Sequence, residues 1–183
     1  MRARRRNKPP DKPTVTAIHR CALTYEHLLE FTSMEQHRWQ EWFLANPAGW
    51  SVPFASPPMA TIGGVVNHIF AVELRYTQRL RDERVSEWDE LLVHTSIEDV
   101  FALGDNARAS LVDFLTNTSE EELDRQLTFK TLTAGMVTAS KYKIASNIFL
   151  HGIRHWGQIA SVLRQSGYST QWPHDFLLSE LKM

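Results

Sequence analysis

Apolar positions recur at helical spacing along four stretches of this chain. In the first, about Ile18 to Ala45, Leu28, Phe31, Met34 and Trp42 are among the apolar positions, and Asn46-Pro47 with Gly49 ends the run. A Pro-rich loop follows, with Pro53, Pro57 and Pro58. The second stretch, about Met59 to Arg84, carries Ile62, Val65, Ile69, Val72, Tyr76 and Leu80. Gly63-Gly64 near its start costs a helix about 1 kcal/mol per glycine, which predicts close packing or access to a site. The third begins after Ser96, a predicted N-cap with Asp99 three residues on, and continues through Ile97, Val100, Leu103, Ala107, Leu111 and Phe114. Ser119 with Glu122 repeats the capping pattern and predicts a short helical turn. The Thr-rich segment from Leu127 to Val137 predicts an extended connection or a short hairpin. The fourth stretch, about Ala139 to Ser166, carries Ile144, Ile148, Ile159 and Val162, with Arg164 in its last turn and Gly167 just beyond it. The tail from Tyr168 to Met183, with Trp172-Pro173 and Phe176-Leu177-Leu178, is expected to pack along these helices. Together the pattern predicts an all-α four-helix bundle with little or no sheet.

Composition narrows the class. A chain of 183 residues with 43% hydrophobic and 22% charged positions can bury one good core. The single cysteine, Cys21, cannot form an internal disulfide, so a reducing, cytoplasmic setting is expected. No apolar run reaches the 18 or so residues of a membrane span, and Ile62 to Val72 is interrupted by Asn67 and His68. Residues 1–12 hold six Lys/Arg against one Asp, so the net charge of −1 leaves about −6 beyond them. Residues 1–14 therefore read as a disordered basic N-terminal arm, and residues 15–183 as the bundle domain. No apolar segment follows the basic residues, so the arm does not read as a secretory signal. The acidic body argues against a nucleic-acid-binding domain. The arm alone offers polyanions only weak contact without sequence preference.

The candidate chemistry sits on the fourth helix, in His151-Gly-Ile-Arg-His155-Trp-Gly-Gln158. Residues i and i+4 of a helix project from one face a turn apart. His151 and His155 fall within the apolar stripe, and histidines on a buried face need partners. Backbone or water can serve, and so can a transition metal. His68, on the margin of the second helix's stripe, completes a set. One ligand from one helix and an i, i+4 pair from another is a normal way to build a metal site inside a bundle. Three neutral imidazoles with an open position suit Zn²⁺, Ni²⁺ or another first-row divalent ion.

Ile62-Gly-Gly-Val-Val-Asn-His68, Ala71-Val-Glu73-Leu-Arg-Tyr76, His151-Gly-Ile-Arg-His155-Trp-Gly-Gln158-Ile-Ala and Leu163-Arg-Gln-Ser-Gly167 occur in this order. In these motifs the chain resembles the DinB family, which includes metal-dependent proteins of the YfiT type, over roughly Cys21 to Asp175. The resemblance implies an up-down-down-up bundle, commonly a homodimer, with a divalent metal on His68, His151 and His155. It also implies a thiol-dependent transferase or isomerase using a low-molecular-weight thiol, although many relatives have no known reaction. The long first loop and the basic arm depart from the family pattern.

Two neighbours of the histidines are candidates for supporting roles. Gln158, a turn beyond His155, can orient a ligand from outside the coordination sphere or bond another helix. Glu73 lies inside an apolar stripe and needs a partner, expected to be Arg154 or Arg164; the alternative is a base near the metal. His19, His27, His37, His94 and His174 read as surface residues. No Ser or Cys nucleophile is placed by a His and an Asp. The leading reading is a metal-dependent enzyme, transferase, isomerase or hydrolase, acting on a small-molecule substrate. The competing reading is a non-enzymatic metal-binding stress-response protein.

Overall fold

A serine or threonine begins each of the four long helices, because its side-chain oxygen accepts a backbone N–H that the first turn leaves unpaired. Thr24 accepts from His27 N ahead of α1 (Tyr25–Ala45), and the His27 ring bonds back to Thr24. Thr61 accepts from Gly64 N ahead of α2 (Ile62–Leu80). Ser96 accepts from Asp99 N ahead of α4 (Ile97–Asn117), as its spacing predicts. Ser140 accepts from Lys143 N ahead of α6 (Lys141–Gln165). The computed structural model describes residues 23–56, 59–131 and 134–181. The expected basic arm, the start of the first predicted helix and His19 lie outside them.

Short elements join the helices. A 3-10 turn (Pro47–Ser51) leads into a hairpin of β1 (Pro53–Ser56) and β2 (Met59–Thr61). This hairpin replaces part of the plain loop expected there, and β2 takes the first three residues assigned to the second helix. A crossover holding α3 (Trp88–Leu91) connects α2 to α4. The predicted turn after Ser119 is α5 (Glu120–Asp124). The Thr-rich segment forms an antiparallel hairpin, β3 (Gln126–Thr131) with β4 (Gly135–Ser140), in which Thr128 opposes Thr138. The structure is thus all-α in architecture with two small hairpins. Gly167 closes α6 with φ +86°, a conformation that favours glycine.

Side-chain pairs give the helix directions. Ile69 of α2 lies against Gly152 of α6, and the Lys141 ammonium reaches the Leu80 carbonyl, so α2 and α6 are antiparallel. Phe70 packs on Gly104 and Glu73 bonds Arg108, so α2 and α4 are parallel. Tyr25 reaches Ser146 while Trp39 stacks on Trp156, so α1 and α6 are parallel. Gln36 bonds Asp105 and Arg108 bonds Thr32, so α1 and α4 are antiparallel. The result is the up-down-down-up bundle. A crossover connection is required because parallel α2 and α4 cannot be joined by a tight turn.

The core falls into two clusters along the bundle. One is aromatic, around Trp39, Phe43, Phe70, Phe101 and Trp156, and the other is mainly aliphatic, around Leu80, Leu111, Ile144 and Ile148. Gly63 is explained by the aromatic cluster, since a Cβ there would overlap the Trp50 indole. The tail packs along the bundle as expected. Trp39 stacks on Trp156 at 5.6 Å and on His174 at 5.1 Å, with both rings within about 12° of parallel to it. His174 is therefore not the surface residue the sequence suggests. Its Nδ1 lies 2.9 Å from buried Glu35, which also accepts from Trp172 Nε1 at 2.9 Å.

Glu73 finds a different partner from either expected arginine. Its carboxylate, 4% exposed, takes a two-pronged bond from Arg108, Nε at 2.7 Å and Nη2 at 3.1 Å. Arg108 also donates to Thr32 and Ser33 of α1, so one guanidinium ties three helices. The parallel course of α4 brings Arg108 into register with Glu73, and periodicity alone does not reveal which helix lies alongside. Replacing one partner of a buried pair leaves the other charge unpaired. Arg108→Met is expected to cost about 3–5 kcal/mol in urea denaturation, and Glu73→Gln added to it should recover part of that loss. A double variant no more stable than the single one would contradict this account of the pair.

Candidate metal centre

Antiparallel packing of α2 and α6 places His68 opposite the His151–His155 pair. His68 Nε2 is 3.2 Å from His151 Nε2, and His155 Nε2 is 3.1 Å from the same atom. The three ligand atoms all lie within 4.8 Å of one another, and the group contains no carboxylate. His155 is buried at 5% exposure, while His68 and His151 are half-buried. The apolar stripe of α6 explains the difference, because Trp156 and Ile159 carry the face next to His155 into the aromatic core.

Burial decides the charge state. It pushes His68 down to about 4 and His151 down to about 3, and it lowers His155 as well. The positive charge of Arg154 acts in the same direction on all three. The nearby Gln158 amide acts in the opposite direction at His155. Near neutral pH the cluster is therefore three uncharged imidazoles, each with a nitrogen lone pair to offer. Each neutral ring keeps one N–H, so the tautomer decides which of the facing nitrogens donates, whereas a cation can take up a lone pair from all three at once.

The donor set fits a divalent ion. A tetrahedral ion with bonds of ~2.1 Å holds its ligand atoms roughly 3.4 Å apart, close to the 3.2 and 3.1 Å that separate His151 Nε2 from the other two. Metal-bound histidines usually donate their second ring N–H to a partner. Here Nδ1 of His155 is buried without one among the described residues. Glu73 is engaged by Arg108. Gln158 is exposed on α6. Cys21 lies outside the described residues.

One contributor is not signalled by sequence pattern. Trp88 of α3 lies flat against His68, ring centres 5.7 Å apart and planes within 11°. The Arg75 guanidinium sits over the same indole at 4.7 Å. The crossover thus supplies an aromatic wall that limits rotation of the His68 ring. A lone tryptophan in a four-residue helix has no periodicity from which to read such a role.

The depressed histidines set a pH dependence for the metal-free protein. An unfolded chain takes up protons on histidine below about pH 6.5. The folded chain does so at His68 and His151 only near 4 and 3. The stability these groups contribute is complete above pH 6.5 and is lost as pH falls through the folded values. Chelator-treated protein should lose stability over this window, and His151→Gln should show a shallower loss. Equal slopes in urea denaturation at stepped pH would contradict the burial account.

Comparison with known proteins agrees with the fold and motifs. No curated protein sequence matches the chain. The crystal structure of YjoA, a DinB-like protein from Bacillus subtilis, matches with a TM-score of 0.55 at 16% identity, covering 81% of this chain and 93% of that one. At that identity the likeness concerns the fold. The sequence model of the DinB family matches residues 22–180, which takes in all four long helices and the three histidines. The chain belongs to the DinB family.

Proposed function

We propose that this protein holds one divalent ion, Zn²⁺ or Ni²⁺, on His68, His151 and His155, and acts on a small-molecule substrate. The observation that carries the reading is the convergence of three neutral imidazole nitrogens from two helices. Bound there, the ion supplies a Lewis acid that lowers the pKa of a thiol or water or polarises a carbonyl. The chain's own part is to keep the imidazoles unprotonated by burial and to hold their geometry. His155 is fixed by the aromatic core, and His68 is held by the face of Trp88. Partial exposure of His68 and His151 leaves a side from which a substrate can approach.

Family membership and the partial exposure of His68 and His151 support the reaction class. A transferase or isomerase using a low-molecular-weight thiol is favoured, with hydrolysis as the other chemistry such a site supports. A cytoplasmic, homodimeric protein is part of the same proposal. No helix among the described residues is long and apolar enough to cross a membrane. A non-enzymatic, stress-related metal-binding role is the alternative. Its supporting observation is that the histidines link α2 to α6, as a structural ion would.

Elemental analysis of untagged protein tests the ion. We expect about one zinc or nickel per chain, and close to none in His155→Ala, which should remain folded. Ile148→Ala, on the same stripe and 3% exposed, should instead cost about 2–5 kcal/mol and keep its metal. Full metal occupancy in His155→Ala overturns the ligand assignment. Thiol-transfer assays over several small thiols, before and after chelation, test the chemistry. We expect chelation to abolish turnover while helical circular dichroism persists. Unfolding on chelation alone would favour the structural role.

A further inference from the structure

We propose that Arg154 recruits the anionic end of the substrate, a carboxylate or a thiolate, beside the metal. The inference rests on the metal reading above and names the ligand class for that site. Arg154 occupies the helical position immediately before His155, and its Nη2 lies 3.2 Å from His155 Nε2, the atom that faces His151. Its charge bears on all three histidines. Among the described residues it forms no ion pair, unlike Arg81, Arg84, Arg108 and Arg125, each of which has a carboxylate partner. An arginine without a counter-ion at the edge of a functional cluster is free to serve an incoming anion.

Charge balance points the same way. The candidate ligand set is three histidines with no carboxylate, so an ion bound there keeps its full double charge. Arg154 adds a further positive charge at the same spot. A site of this kind on half-buried histidines attracts an anion, because opposite charges interact more where solvent is partly excluded. A guanidinium presents planar, paired donors that match a carboxylate and also bond a thiolate, whereas a lysine would supply charge without that fork. The substrate then has one anionic group near the reacting atom. Cations are repelled by Arg154, and neutral alcohols and amides gain only the weaker hydrogen bond of an uncharged acceptor.

Cobalt-substituted protein gives a readout that does not depend on turnover, since the visible spectrum of the ion changes when an anion enters its coordination sphere. Acetate and 2-mercaptoethanol are titrated separately into wild type, Arg154→Gln and Arg154→Lys, with cobalt stoichiometry measured for each. Arg154 is exposed, so both variants should fold and bind one cobalt. We expect Arg154→Gln to weaken at least one of the two ligands about tenfold, with Arg154→Lys intermediate. Weakening confined to acetate assigns the anion as a carboxylate, and weakening confined to the thiol assigns it as a thiolate. Affinities within twofold of wild type for both ligands, at full cobalt occupancy, overturn the role of Arg154 and leave the metal reading standing. Failure of the wild type to bind cobalt overturns both.

Discussion

The antiparallel packing of α2 against α6 is the constraint on which the site depends. It brings His68 to residues more than eighty positions away in the chain, and it does so through apolar contacts that have nothing to do with metal chemistry. Ile69 over Gly152 at one level and Leu80 beside Ile144 and Ile148 at another set the register of the two helices. With the register set, the three imidazoles meet, and their burial removes the charge that would drive them apart. A slip of one residue would rotate His68 by about 100° around its helix axis and break the set.

The parallel pairing of α2 with α4 has its own consequences. It requires a crossover, and the crossover carries Trp88 against the ring of His68. Parallel pairing also brings Arg108 to Glu73, so that a buried charge pair joins α1, α2 and α4. The stack of Trp156, Trp39 and His174 runs from the residue next to His155 to the C-terminal tail. The helix that bears two of the histidines is thus packed against α1 through Trp39 and Trp156 and against α2 through Ile69 and Gly152.

Helical periodicity and capping chemistry made much of this legible in advance. The four long helices, the caps at Ser96 and Ser119, the end at Gly167 and the gathering of His68 with His151 and His155 are all local patterns or a family motif. The remainder depends on which surfaces meet. Glu73 was visibly in need of a partner, yet Arg154, Arg164 and Arg108 are equivalent until helix order is known. His174 lacks any neighbouring pattern, and its partner Glu35 is 139 residues away. The first hairpin hides in a Pro-rich loop, where strand pairing covers only a few residues and leaves no alternation to read.

The central claim is that His68 shares one ion with His151 and His155. X-ray absorption at the metal edge of zinc-loaded protein, compared with His68→Ala, addresses it directly. The account predicts a nitrogen and oxygen shell at about 2.0–2.2 Å with outer scattering from three imidazole rings, falling to two rings in the variant. A spectrum with two or fewer imidazoles in the wild type, or one that does not change when His68 is removed, would contradict it.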